Sequence, residues 1–162
     1  MRIGVISDTH IPDRAKGIPQ KILDAFKDVD MVIHAGDLVS PEALEQLKSV
    51  CPDVRAVYGN MDPLEVRKIL PEKEIIRVGK YSIGLMHGYG APSSLIELMQ
   101  KAFKDEHVDL IIFGHSHAPT NELVGNTLFF NPGSATDKIF FPYNSFGIIE
   151  VNDKIEARII KL

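Results

Sequence analysis

Apolar positions follow two rhythms along this chain. Arg2–Ser7, Asp30–Ala35 and Val54–Tyr58 are short runs rich in β-branched residues, with the length and composition of strands. Between the first two the spacing widens to that of a helix, with Ile18, Ile22, Leu23 and Phe26 on one face of residues 18–27. Ser40-Pro41 has the form of a helix start, Ser40 as N-cap and Pro41 at the first helical position. Asp62-Pro63-Leu64-Glu65 reads as a capping box opening a short helix.

After Pro71 the rhythm changes. Glu74–Val78 and Tyr81–Met86 are two strands joined by Gly79-Lys80, a tight hairpin. Residues 94–104 have helical spacing, with Ser94 and Glu97 forming a second capping box. Leu110–Phe113 has the character of a buried strand. Asn121–Val124 and Thr127–Phe130 flank a Gly125-Asn126 turn, and Ser145–Val151 and Ile155–Ile160 flank Asn152-Asp153. The first half therefore predicts βαβαβ units and a parallel sheet, and the second half adds antiparallel hairpins. The expected class is α/β, with two packed sheets and helices on their outer faces. The 162 residues fit one domain spanning 1–162.

Composition narrows the choice of function. Hydrophobic residues make up 44% and charged residues 25%, the profile of an ordinary globular protein. The net charge is −4, with no block of lysine or arginine. Stable nucleic-acid binding needs a basic face, so it is not expected. A small phosphate ester remains open as a ligand, because bound cations reverse a local field. The single cysteine, Cys51, reads as a small buried hydrophobe and excludes an internal disulfide. With neither a signal-like start nor an apolar run of membrane-spanning length, the expectation is a cytoplasmic protein with no membrane partner.

The chemistry lies where strands end. Five apolar runs each lead directly into a polar side chain able to bind a metal: Asp8, Asp37, Asn60, His87 and His115. Ligands of open α/β sheets bind beyond the carboxyl ends of strands, so these tips are expected to meet. Asp8-Thr9-His10 and His115-Ser116-His117 add a second donor two positions on, and in extended backbone such pairs project from one side. A lone strand-end Asp or Asn is ordinarily a turn or cap residue, and a lone histidine a core or surface one. It is the joint occurrence that points to metal. Asp8, His10, Asp37, Asn60, His87, His115 and His117 offer too many donors for one tetrahedral zinc, and suit two ions sharing a carboxylate. Imidazole and carboxylate without thiolate favour Mn, Fe, Zn, Co or Ni, with Mn the first choice. Two such ions about 3.5–4 Å apart clamp a phosphate and acidify a bridging water for in-line attack.

Taken in order, Asp8-x-His10, Gly36-Asp37, Gly59-Asn60-x-Asp62, His87-Gly88 and Gly114-His115-x-His117 resemble the motifs of the calcineurin-like metallophosphoesterases, over most of the chain. The compact length and Asn131-Pro132-Gly133-Ser134 after the last histidine pair resemble that family's small prokaryotic phosphodiesterase branch. The resemblance implies a four-layer α/β/β/α sandwich with its site at the strand ends. It places Asp8, His10 and His117 on a first ion, Asn60, His87 and His115 on a second, and Asp37 between them. Asp37, Asn60 and His10 become the catalytic candidates, and a homodimer or higher oligomer fits related small members. One departure stands out: the larger family often continues Gly-Asn with a histidine thought to assist the leaving oxygen, whereas here the next residue is Met61. Two competing functions are a non-catalytic protein-interaction module, like the similar retromer sorting subunit, and a nuclease. All seven positions carry ligand-competent side chains, which disfavours the first, and the acidic balance disfavours the second.

Among the other residues, Arg14 reads first as a surface loop arginine, with bidentate contact to a substrate phosphate as the alternative. Tyr89 is a candidate for the mouth of the substrate cavity. His34, alternating into an apolar strand, is assigned a buried supporting role rather than direct ligation. His107 sits among charges and is expected to be solvated. The pairs Phe129/Phe130 and Phe140/Phe141 are read as core or dimer contact.

Overall fold

The computed structural model describes residues 1–162. Its elements run β1 (Arg2–Ile6), α1 (Gln20–Phe26), β2 (Met31–His34), α2 (Glu42–Lys48), β3 (Val54–Ala56), α3 (Leu64–Ile69), β4 (Lys73–Val78), β5 (Tyr81–Met86), α4 (Leu95–Ala102), β6 (Leu110–Ile112), β7 (Thr120–Val124), β8 (Thr127–Asn131), β9 (Ser145–Val151) and β10 (Ile155–Lys161). They form two five-stranded mixed sheets, ordered β10-β9-β1-β2-β3 and β4-β5-β6-β8-β7. The expected α/β sandwich of two sheets flanked by helices is what is found.

Within the first sheet β1, β2 and β3 are parallel, as their helical crossovers require, with Ile3 opposite Met31 and Val32 opposite Val54. The last hairpin returns to this sheet: β9 lies antiparallel to β1, with Ile3 opposite Ile149. In the second sheet β5, β6 and β8 are parallel, and β4 and β7 close the edges as antiparallel partners.

Alternation along each strand sorts side chains between layers. Ile3, Val5, Ile33, Ile83, Leu85, Ile112 and Ile149 meet between the two sheets. Val32 and Ile148 face the other way, onto Ile22 and Phe26 of α1 and Leu44 and Leu47 of α2. Ile111 and Phe129 pack under Leu95 and Met99 of α4. Truncating a fully buried aromatic such as Phe26 would cost about 3–5 kcal/mol. Cys51 and Phe129/Phe130 are buried as expected, and His107 is exposed beside Asp109. No helix is long and apolar enough to cross a membrane.

Two local expectations fail. Neither capping box forms. Asp62 turns its carboxylate away from α3 and into the loops after β2 and β3, and Glu97 pairs with Lys101 one turn on. In each case a partner outside the cap competes better for the carboxylate. Ser40 does cap its turn, its Oγ accepting from the Glu42 N–H at 3.2 Å, although the regular helix begins only at Glu42.

Candidate metal centre

The parallel strands β1, β2, β3, β5 and β6 end on the same rim, and the loops leaving them carry the candidate ligands. The backbone there is not extended. Asp8, His10, Asp37, His115 and His117 all have φ between 42° and 70°, the left-handed region that costs a residue with a Cβ about 1–2 kcal/mol. The expectation of paired side chains projecting from extended chain is corrected here: the donors converge because each loop doubles back directly after its strand. Non-glycine residues held in such conformations cluster where function demands them.

Two glycines make the convergence feasible. A Cβ at Gly59 would overlap Asp37 Oδ1 and sit 2.6 Å from the Asp37 nitrogen. A Cβ at Gly114 would overlap Ser7 Oγ and sit 2.8 Å from Asp8 Oδ2. Only glycine lets the loops after β3 and β6 approach the carboxylates of the first sheet this closely.

Asp8 is fully buried and lies at the centre. The His115 N–H stands 3.2 Å from both of its oxygens. Oδ1 also faces three imidazole nitrogens: His117 Nε2 at 3.3 Å, His87 Nε2 at 3.8 Å and His10 Nε2 at 3.9 Å. Burial pushes the Asp8 carboxyl up, but the facing histidines outweigh it and hold it down at about 2. Asp37 uses Oδ1 to accept the Met61 N–H at 2.7 Å and turns Oδ2 toward His87 Nε2 at 3.3 Å and His10 Nε2 at 3.8 Å.

The donors fall into two buried groups, Asp8 with His10 and His117, and Asp8 with Asp37 and His87. In the first, the Nε2 atoms of His10 and His117 face one another at 3.2 Å. In the second, His87 Nδ1 lies 2.6 Å from the Ala35 carbonyl, which fixes the ring and leaves Nε2 buried without a hydrogen-bond partner. Burial lowers the affinity of this imidazole for a proton, but Asp8 and Asp37 prevail and raise it to about 9. A buried nitrogen so placed among carboxylates could hold a cation in place of its proton, and the imidazole–carboxylate set fits divalent transition metals. Asp8 belongs to both groups, and Asp37 Oδ2 likewise faces one histidine of each. Two carboxylates therefore span the groups, where the resemblance assigned that place to Asp37.

Asn60 and His115 stand on the open side. His115 Nδ1 is 2.8 Å from Asn60 Oδ1, and its Nε2 is 2.9 Å from the Gly90 carbonyl, so neither side chain joins the buried groups. A cavity of about 580 Å³ opens over Asp37, Asn60, His10 and His117, walled by Arg14, Met61 and Phe140. Arg14, half-exposed, reaches this wall with Nε 3.4 Å from Asp137. Tyr89 borders a smaller neighbouring pocket that shares Asn60. Of the core or dimer contact expected for Phe140, the core alternative fails: it is 68% exposed at the rim, and its ring meets that of His117 edge-on at 5.0 Å.

His34 takes the supporting role expected of it. It is fully buried, its Nδ1 accepts the Gly36 N–H at 3.1 Å, and Nε2 therefore carries the proton it presents to Thr9 Oγ1 at 3.0 Å. Burial lowers its affinity for a second proton to about 3. The roles of two residues escaped the sequence reading. Asp62 accepts the N–H groups of Asp37, Val39 and Gly59 and so clamps two ligand loops together. Asp137, buried, faces His117. Asp62 was visible within the Gly-Asn-x-Asp motif, but nothing in the sequence marked Asp137.

Comparison with known proteins agrees with this geometry. Residues 1–154 match the model of the calcineurin-like phosphoesterase superfamily domain. A probable metallophosphoesterase of Methanocaldococcus jannaschii is 40% identical, covering 100% of this chain and 82% of its own. The zinc complex of wild-type Vps29 from Entamoeba histolytica superposes with a TM-score of 0.77 at 30% identity, covering 99% of each chain. A structure described as a novel archaeal phosphodiesterase gives 0.79 at 26% identity, covering 100% of both. By fold, ordered motifs and family match, this chain belongs to the calcineurin-like phosphoesterase superfamily.

Proposed function

We propose that this protein is a phosphodiesterase that works with two divalent cations, Mn being the first candidate and Fe, Zn, Ni or Co the alternatives. The observation that carries the reading is the meeting of three imidazole Nε2 atoms on Asp8 Oδ1, with two of them also facing Asp37 Oδ2. Asp8, His10 and His117 would hold one ion. Asp37 and His87, with Asp8 common to both groups, would hold the other, and Asn60 and His115 would complete it from the open side once their mutual contact is exchanged. Such a pair supplies Lewis acidity toward the phosphate and a strong oxygen nucleophile at neutral pH.

The chain's own residues do the rest. Asn60 offers an amide at the cavity floor, and Arg14 offers a guanidinium at its wall, both toward the oxygens of a phosphate. Met61 lines the cavity at the position where the larger family's motif often carries a histidine, and a thioether has no proton to give a leaving oxygen. That supports activated diesters as substrates over alkyl monoesters.

The test is hydrolysis of bis-p-nitrophenyl phosphate by purified protein, with its metal content measured alongside. Turnover abolished by chelation, restored by Mn and lost in Asp37→Ala is expected. Fully metal-loaded protein that turns over no diester would refute the reading and favour the interaction-module alternative.

A further inference from the structure

The segment that leaves β8 from its last residue, residues 131–137, is bound closely to the loops that carry the candidate ligands. Asn131 Nδ2 donates to the Gly114 carbonyl at 2.8 Å, Ser134 Oγ to the Asp8 carbonyl at 2.8 Å, and Thr136 Oγ1 to the Thr9 carbonyl at 2.7 Å. The segment ends in Asp137, which is 3% exposed. One of its oxygens is committed, Oδ1 accepting the Ile139 N–H at 2.7 Å. The other, Oδ2, is buried without a hydrogen-bond partner, and so is His117 Nδ1, 3.5 Å away. Arg14 Nε lies 3.4 Å from the same Oδ2.

Two unpartnered buried polar atoms facing each other are costly unless they satisfy one another, and a shift of a few tenths of an ångström would let them. A histidine that ligates through one nitrogen must carry its proton on the other, and a carboxylate at that position fixes ring and tautomer together. His117 Nε2 is the nitrogen that faces Asp8 and His10. We propose that Asp137 is a positioning residue. Its Oδ2 accepts the Nδ1 proton of His117, which aims the Nε2 lone pair into the first ligand group, and the same oxygen tethers Arg14 at the cavity wall. This rests on reading the site as a metal centre. It links a ligand of one ion to a phosphate-facing arginine through a single buried oxygen.

The experiment compares wild type, Asp137→Asn and Asp137→Ala by zinc titration against a chromophoric chelator, and by ¹H–¹⁵N spectra of the zinc-loaded protein. Wild type should show a downfield, slowly exchanging His117 Nδ1–H. Asp137→Ala should lose that signal and weaken one zinc equivalent about 10–100-fold while sparing the other. Asp137→Asn keeps an acceptor oxygen and should fall between the two. Unchanged affinity for both equivalents in a wild type that binds zinc would overturn the inference alone. Equal weakening of both, together with a lower unfolding temperature of the metal-free protein, would overturn it too, by reducing Asp137 to a structural role. A wild type that takes up no zinc would instead refute the metal centre itself, and this inference with it.

Discussion

Replacing Asp62 should damage this protein more than its place in the sequence implies. Its carboxylate is 3% exposed and accepts three backbone N–H groups: Asp37 at 3.0 Å and Gly59 at 2.7 Å on Oδ2, and Val39 at 2.6 Å on Oδ1. Asp62→Ala leaves all three donors without that partner. At roughly 1–3 kcal/mol for each orphaned buried group the sum spans about 3–9 kcal/mol, and water entering the vacated space brings it to the lower end, about 3–5 kcal/mol. That is a large part of the ~5–15 kcal/mol stability of a typical domain. Asp62→Asn separates geometry from charge. Its oxygen can still serve Asp37 and Gly59, while its amide must face the Val39 N–H, so one donor is lost at about 1–3 kcal/mol. The assay is urea unfolding of metal-free protein, with metal equivalents counted on the folded variants. The order wild type, Asn, Ala is expected in stability and in metal retention, because Asp62 holds the backbone that carries Asp37 and Asn60. An Asp62→Ala protein within about 1 kcal/mol of wild type would refute the clamp.

Gly59→Ala should leave the core intact yet lose bound metal, since the added Cβ displaces Asp37 Oδ1; metal analysis with unaltered far-UV circular dichroism checks this, and full metal retention would count against the close approach. Met61, 56% exposed at the cavity wall, is expected to leave wild type steeply dependent on leaving-group pKa. Met61→His should flatten that dependence and raise rates on alkyl esters by up to about 10²-fold, within the usual range of general acid help. A shallow dependence, unchanged in the variant, would remove Met61 from the account.

Much of this molecule is legible in its sequence because much of it is local. Strands and helices declare themselves by the spacing of apolar residues, and all the predicted strands and helices form close to their expected bounds. The strand ends that carry Asp8, Asp37 and Asn60 in one sheet, and His87 and His115 in the other, are legible for the same reason: parallel crossovers oblige the strands of each set to point one way, while the stacking that brings the two sets together belongs to the tertiary structure.

Other features depend on residues far apart in the chain, and local pattern carries no trace of them. β9 does not pair with β8, whose two edges are taken by β6 and β7, but returns to β1, with Ile149 and Val151 buried between the sheets. Asp62 has the local form of a helix cap, but three N–H donors, two of them more than twenty residues away, compete better for its carboxylate than the start of α3 does. The left-handed turns at Asp8, His10, Asp37, His115 and His117 are conformations such residues avoid in isolation, and they persist only because the surrounding loops over-determine them. Asp137, twenty positions beyond His117 and outside every motif, gains its meaning only when the segment after β8 folds across the loops of β1 and β6. Periodicity and spacing are enough to nominate the candidate ligands; the distances between them are properties of the packed chain.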